Sequence, residues 1–377
     1  MDIKCKVFDS IKPLEKYWPD LEDENSPFTD YRFLDALEDS GSLGERTGWF
    51  PHYLCCMLDG QIISVYILFA KTNSYGEYIF DWDWANAYQR YGLPYYPKLV
   101  SAIPFTPATT SKFLVKHGEN RELYFDKTLE LLESLENRFS SIHQLFIPKD
   151  EVPQWQKCKF LRRLSHQYHW HNRGYEDFDS FLYELKGKKA KEIRRERRKI
   201  SEYPELEIKR LTGDSIEAHH AEAFYGFYLT TLDKKRAIPY LTQEFFSKVF
   251  NSMKDNILLT VAQNSGGLCA ASLCFFKGDK LFGRYWGAKE NEKHLHFELC
   301  YYQPIEFALE RKFTSFEAGA QGSHKIQRGF IPSWTYSTHK IMHPEFASGI
   351  RSYIEQENQM MEEVFAEDCR RQPFKSI

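Results

Sequence analysis

Much that would type a chain at first sight is missing from these 377 residues. There is no C-x-x-C pair, and the eight cysteines (Cys5, Cys55, Cys56, Cys158, Cys269, Cys274, Cys300 and Cys369) lack the dense spacing of a disulfide scaffold. Most lie in apolar runs such as HYLCCML and LCAASLCFF, where a thiol serves as a small buried hydrophobe. A reducing compartment is expected. No apolar run reaches the ~18 residues of a membrane span. The opening MDIKCKVFDSIKPLEKYWPD is charged and has no signal-peptide core, so the cytoplasm is the expected location. Charge of one sign is also scarce. With a net charge of −3, attraction to an anionic partner has to come from a local patch.

Aromatics, by contrast, are abundant, with 30 Phe and 23 Tyr. That ring area supplies a core and leaves tyrosines for pockets. The chain is long enough for two domains of roughly 100–200 residues each. Asp59-Gly60 between the apolar runs 51–58 and 61–70 predicts a hairpin. EYIFDWDW (77–84) reads as a strand, 121–139 as a helix and 141–148 as a strand. Further on, a helix is expected over 180–203 with Asp179 as N-cap, then a three-strand meander through 257–288. A helix over 296–312 follows, bent by Pro304, and then the strand SFEAGA. No repeat by residue identity occurs, yet both halves run sheet, helix, strand. The polar, histidine-rich segment 161–178 is the expected junction, dividing the chain into 1–165 and 166–377.

Three stretches carry chemistry. FEAGAQGSHKIQRGF (316–330) offers Gly319 and Gly322 for positive φ and close backbone approach, with Gln321, His324, Lys325 and Arg328 beside them. Three residues apart, Lys325 and Arg328 project to one side and suit a phosphate, a carboxylate or an oxyanion. A solvent-exposed turn with incidental charges is the plainer alternative. KGKKAKEIRRERRK (186–199) is a basic helix for tRNA phosphates, a nucleotide-linked substrate or an anionic surface. Its plainer alternative is a solvated helix with Glu192 and Glu196 giving i,i+4 support. DWDWANAYQRYGLPYYPK (81–98) offers Trp84, Asn86, Tyr88, Gln89 and Arg90 for a polar substrate, and QYHWHN (167–172) adds His169 and Asn172. His169 and His171 would share a strand face, but no third metal ligand is identifiable, and packing accounts for many of the rings.

Several long strings, among them FDWDWANAYQRYGLPYYPKLVSAIPFTPAT, FGRYWGA, HFELCYYQPIEFALE and FEAGAQGSHKIQRGFIPSWTYSTHKI, resemble a bacterial family described as predicted N-acyltransferases or "peptidogalycan biosynthesis" proteins. That family belongs to the GNAT superfamily and is related to the FemABX peptidyltransferases. The resemblance covers nearly the whole chain. It implies an α/β fold of two tandem GNAT-like domains, each a mostly antiparallel mixed sheet flanked by helices, with the active site in the second. The implied reaction is transfer of an acyl or aminoacyl group from acyl-CoA or aminoacyl-tRNA to a small-molecule or peptide-like amine, by direct attack and without a tightly bound cofactor or metal. His324, Glu317 and Glu298 become candidates for moving protons. Lys325, Arg328, Arg284 and Trp286 become candidates for holding substrate and anionic groups. One departure stands out. The Q/R-x-x-G-x-G/A turn that grips CoA pyrophosphate is replaced by YWGAKENEKHLHFEL, with Gly287 alone. FemABX proteins, which draw on aminoacyl-tRNA, also lack that turn. A catalytically silent GNAT-like module that binds an anionic ligand or a protein is the other class of function to weigh.

Overall fold

Turn chemistry and apolar alternation place the strands of the first unit. In a computed structural model that describes residues 3–203, 205–289, 294–320 and 322–375, this unit comprises residues 1–23, 28–165 and 334–363. Its early strands are β1 (Ile3–Phe8), β2 (Trp49–Pro51), β3 (Tyr53–Leu58), β4 (Gln61–Tyr66), β5 (Phe69–Lys71), β6 (Lys98–Ser101), β7 (Phe113–Val115) and β8 (Ser141–Ile147). The β3–β4 hairpin turns on Asp59 and Gly60, both at positive φ. β1, β3, β4 and β7 form one antiparallel sheet, while β6 runs parallel to β8. The helices are α1 (Tyr31–Asp39), α2 (Trp82–Arg90), α3 (Arg121–Leu135) and α4 (Val152–Lys157). Asn120 caps α3 by accepting from the amides of Glu122 and Leu123. The buried face of α3, with Tyr124, Phe125 and Leu132, packs on Leu54, Phe113 and Trp155.

Two expectations change here. The aromatic alternation of 77–84 does not make a strand: residues 77–81 are irregular and α2 starts at Trp82. Burial of Glu77 and Asp81 against Lys98 overrides local β-propensity. The cysteines, moreover, are not all unpaired. Cys5 and Cys56 lie directly opposite on β1 and β3, with Cα atoms 4.1 Å apart, and form a disulfide across 51 residues of sequence. Such a pairing is invisible to spacing rules.

β9 (Leu161–His171) occupies the first part of the polar, histidine-rich segment 161–178 expected as the junction. Its residues from His166 onward belong to the second unit, which holds 24–27, 166–333 and 364–377. The expected single helix over 180–203 is two helices, α5 (Phe178–Glu184) and α6 (Gly187–Ser201), with Asp177 rather than Asp179 capping α5 through a capping box with Ser180. Next come β10 (Glu207–Leu211), α7 (Ala218–Lys235) and α8 (Gln243–Ser252), the latter capped by Thr242. The meander β11 (Ile257–Asn264), β12 (Gly267–Lys277) and β13 (Lys280–Ala288) is antiparallel throughout. A helical passage follows in three pieces: α9 (Leu295–Phe297), a π turn over Glu298–Tyr302 and α10 (Gln303–Glu310). Pro304 stands in the first turn of α10, just after the irregularity. β14 (Ser315–Glu317) then pairs in parallel with β13 and antiparallel with β9. The core gathers Trp170, Phe181, Ile193, Tyr302, Ile305, Phe316 and Phe330. The chain ends through β15 (Ile331–Ile341), which pairs with β8 from Tyr336 onward, and α11 (Pro344–Arg370).

Candidate functional site

The sheet of the second unit parts beside the loop that follows β14. β13 and β14 stay in register only from Lys280–Ser315 to Phe282–Glu317. Beyond that, β13 runs on to Ala288 while the chain after Glu317 turns away through Gly319, at φ 84°. Gly283, Arg284, Tyr285 and Trp286 are half-buried along the diverging strand. Helix α7 closes the far part: Thr231 donates to the Trp286 carbonyl (2.7 Å) and Thr230 to that of Ala288 (3.1 Å). Gly287 belongs to this packing. A Cβ there would overlap the Phe227 carbonyl of α7. The lone glycine of YWGA thus admits a helix rather than cradling a phosphate.

The loop after β14 forms a short 3-10 helix, Ser323–Arg328. In a three-residue turn, positions i and i+3 eclipse, so Lys325 and Arg328 share a side, as their spacing predicted. Both are buried, with very different partners. Lys325 Nζ donates to the Gly319 carbonyl at 2.8 Å, and no carboxylate pairs with it among the described residues. Burial, reinforced by the charge of Arg284, brings its ammonium down to about 7. Arg328 Nη2 donates to both oxygens of Glu196 (2.9 and 3.1 Å), Nη1 donates to the His324 carbonyl (3.0 Å), and the guanidinium lies 3.4 Å from the centre of the Phe297 ring. The expectation that Arg328 offers free charge to a ligand changes accordingly: its charge is spent on Glu196. Tyr302 also donates to Glu196. Sequence reasoning had Glu196 supporting neighbours along an exposed helix, whereas it points inward. As one acid on the buried side of a basic helix, it left only its helical position as a signal.

The π turn presents Tyr301 and Tyr302 in succession. Tyr302 reaches Glu196, and Tyr301 OH lies 2.9 Å from His324 Nε2. Burial keeps the Tyr301 hydroxyl protonated, and the bond holds the His324 ring in place. The His324 ring packs on one side and meets solvent on the other; desolvation, then the charges of Arg328 and Lys325, hold it below the usual imidazole range. Gly322, at φ 114°, leaves room for this ring, which a Cβ would strike. His296 lies 5.2 Å from Trp286 and 6.2 Å from His324, ring to ring, and burial lowers it to about 4. Glu317 stands opposite His169 in register, their side chains 4.0 Å apart, and burial lowers His169 to about 3. The Cys300 thiol is raised well above its ordinary range by burial, which removes it as a thiolate nucleophile.

The remaining candidates lie elsewhere. Glu298 is buried and accepts from Arg197 (2.9 Å) and Gln303 (2.7 Å), while Arg197 also bonds Glu306 (2.6 Å). Asn172 accepts from the amides of Gly174 and Tyr175, an ordinary turn. Gln321 falls outside the described residues. In the first unit, Asn86, Gln89 and Arg90 are exposed on α2, and Tyr88 is buried against Tyr95 and Phe346. Trp84 is buried against His143, His339 and Arg163. Beneath it Lys98 bonds Glu77 (2.8 Å) and Asp81, and Asp81 accepts from Tyr95 (2.6 Å). Among the described residues, no three His, Cys, Asp or Glu side chains gather as they would around a metal. No helix among them is long and apolar enough to cross a membrane.

Mixed sheets with a parallel strand pair in each of two tandem α/β units (β6 beside β8, β13 beside β14), the second pair parting at a glycine-bearing loop, define the GNAT-like class. Among solved structures the fold resembles FemX, at 10% identity and a TM-score of 0.55, covering 93% of this chain and 100% of that one. It also resembles L-PGS from Bacillus licheniformis (10%, TM-score 0.50, 86% and 96%) and the C-terminal domain of a putative lysylphosphatidylglycerol synthetase from Agrobacterium fabrum (7%, TM-score 0.54, 90% and 95%). No curated protein matches the sequence. The chain belongs to the FemAB-like family, described as peptidoglycan biosynthesis/recognition, whose profile matches residues 10–376.

Proposed function

We propose that this chain is a bacterial N-acyltransferase that moves an aminoacyl or acyl group from an activated donor to the amine of a small or peptide-like acceptor. The observation that carries the reading is Lys325, a buried lysine without a carboxylate partner among the described residues, at the loop where β13 and β14 separate. The neutral acceptor amine attacks the donor carbonyl, a C–N bond forms, and the carbonyl oxygen becomes an oxyanion. Lys325, with Arg284 behind it, stabilises that charge. His324 takes the proton that the amine sheds, with Glu317 the second candidate, and the departing oxygen or sulfur of the donor recovers a proton as its bond to carbon breaks. Arg328 and Glu196 hold the loop. With Gly287 committed to packing under α7, the usual pyrophosphate turn is missing, which favours aminoacyl-tRNA over acyl-CoA as donor. The cytoplasm, where such donors are made, is the compartment this reaction implies. The same missing turn also motivates the silent-module alternative, in which the loop binds an anion and transfers nothing.

Thermal-shift screening of acetyl-CoA, longer acyl-CoAs, aminoacyl-tRNA and nucleotide-linked precursors, followed by transfer assays on stabilising donors, separates the two. Lys325→Met should lower kcat by about 10²–10³-fold, the usual cost of one oxyanion donor. Lys325→Arg should restore part of it and move the alkaline fall in rate from near pH 7 to higher pH, because arginine keeps its charge. Full activity in both Lys325→Ala and His324→Ala would remove the site assignment.

A further inference from the structure

Cysteine stands twice in β3, at Cys55 and Cys56, and only the second faces Cys5 of β1. Successive residues of a strand point to opposite faces, so the two have different neighbours. Cys56 is bonded to Cys5, and its sulfur lies 3.5 Å from the Thr128 hydroxyl of α3. Cys55 is turned to the other face, fully buried, and its thiol donates to the Tyr53 carbonyl at 3.8 Å. β1 is the outermost strand of its sheet and pairs with β3 alone. Ile3, Cys5 and Val7 lie half-buried against the core under α3, while Lys4 and Lys6 are exposed. The bond therefore has one sealed sulfur, on Cys56, and one within reach of solvent, on Cys5.

We propose that Cys5 and Cys56 form a reversible redox site, closed by an anionic low-molecular-weight disulfide of the glutathione class and opened by the matching thiol. The Cys5 thiolate attacks one sulfur of that disulfide, forming a mixed disulfide and releasing one thiolate. The Cys56 thiolate then attacks the Cys5 sulfur and releases the second. Two protein thiols are oxidised, one disulfide is reduced to two thiols, and the two protons pass to the released sulfurs. Lys4 and Lys6 bracket Cys5 with positive charge, which favours both its thiolate and an anionic reagent. Exchange stays within the pair. Burial raises the thiols of Cys55, Cys158, Cys274, Cys300 and Cys369, which keeps them protonated and slow to exchange. Open, the site leaves β1 held by hydrogen bonds to one neighbour; closed, it ties that strand down across 51 residues of sequence. The device belongs to the first unit and stands whether or not the transferase reading holds.

The full chain is equilibrated, folded, in glutathione buffers of rising oxidised fraction, and its free thiols are then counted in denaturant with a chromogenic thiol reagent. The count should fall from eight to six, and non-reducing peptide mapping by mass spectrometry should assign the loss to Cys5 and Cys56. The oxidised chain should melt about 10 °C above the reduced one, as a closed loop of this length implies. On reduction, amide exchange should rise first in β1. Cys5→Ser should melt like the reduced chain in every buffer, whereas Cys55→Ser should keep the full shift. The thiol count needs no variant, so it decides even where Cys5→Ser fails to fold. Eight thiols at every ratio overturn the inference. So do six that persist in excess reduced glutathione, because the bond is then a permanent one. Equal melts of the two forms, or a redox shift retained by Cys5→Ser, overturn it as well.

Discussion

Lys325 and Arg328 lie three residues apart, are equally hidden from water, and carry the same sign, yet their partners give them opposite uses. Lys325 has one carbonyl and keeps its charge available. Arg328 has a carboxylate, a carbonyl and an aromatic face, so it is a strut between the loop and α6. A buried pair of this kind contributes little net stability when intact, but removing one member strands the other. Glu196→Ala should therefore destabilise the protein by about 3–5 kcal/mol, measured by urea denaturation. Pairing Glu196→Leu with Arg328→Met should cost much less than the two single changes summed, because no uncompensated charge is left. Additive costs would mean that the two side chains do not act as a pair.

At the scale of elements, Gly287 is the tightest constraint near the site. Its missing Cβ lets α7 lie against β13, and Thr230 and Thr231 then cap two carbonyls that β14 no longer faces. Gly287→Ala should cost about 3 kcal/mol through overpacking, seen as a lower urea midpoint, and it should also disturb the half-buried strip from Gly283 to Trp286. An unchanged midpoint would mean that α7 moves aside freely. Elements fixed by local chemistry were legible in the sequence: Asp59-Gly60 set its hairpin turn and the apolar runs around it became β3 and β4, and the expected meander through 257–288 became β11, β12 and β13. Elements that depend on distant partners were not. The 77–84 segment has a strand's aromatic alternation, but the fold buries its acids Glu77 and Asp81 on Lys98 and leaves Phe80 and Trp82 exposed. β9 was hidden by its histidines and arginines, which find partners only in the fold, as Arg163 does in Glu357. Of the site, the sequence placed Lys325, His324 and the glycines on one loop. It concealed Glu196 within a run of cations and the π turn within an ordinary helical pattern.

Across the whole molecule, burial displaces histidines from their ordinary chemistry in the pH range where it matters for stability. Burial lowers His143 and His169 to about 3 and His296 to about 4, and holds His339 well below its usual range. The His143 and His339 rings share a hydrogen bond of 2.6 Å between their Nδ1 atoms, an arrangement with one proton between two neutral rings and no place for a second. When the chain unfolds, each ring returns to an ordinary value near 6.5 and takes up a proton that the folded form refuses. The unfolded state therefore binds more protons below pH 6.5, and stability falls as pH drops from 6.5 toward 4. Each fully buried ring forfeits about 2 kcal/mol by pH 5. Three glutamates oppose the trend: burial raises Glu38, Glu151 and, to about 7, Glu77, so above the ordinary carboxylate range the folded state holds their protons and acid favours folding there. The lowered histidines, His143, His169, His171, His220, His296, His324 and His339, outnumber them. The urea midpoint should therefore drop markedly between pH 7 and pH 5, and His169→Gln should flatten that drop by about one proton's worth, in keeping with the linkage slope. A midpoint that stays level over this range would show that the rings take up protons without unfolding, and hence that they are not sealed from water as their burial requires.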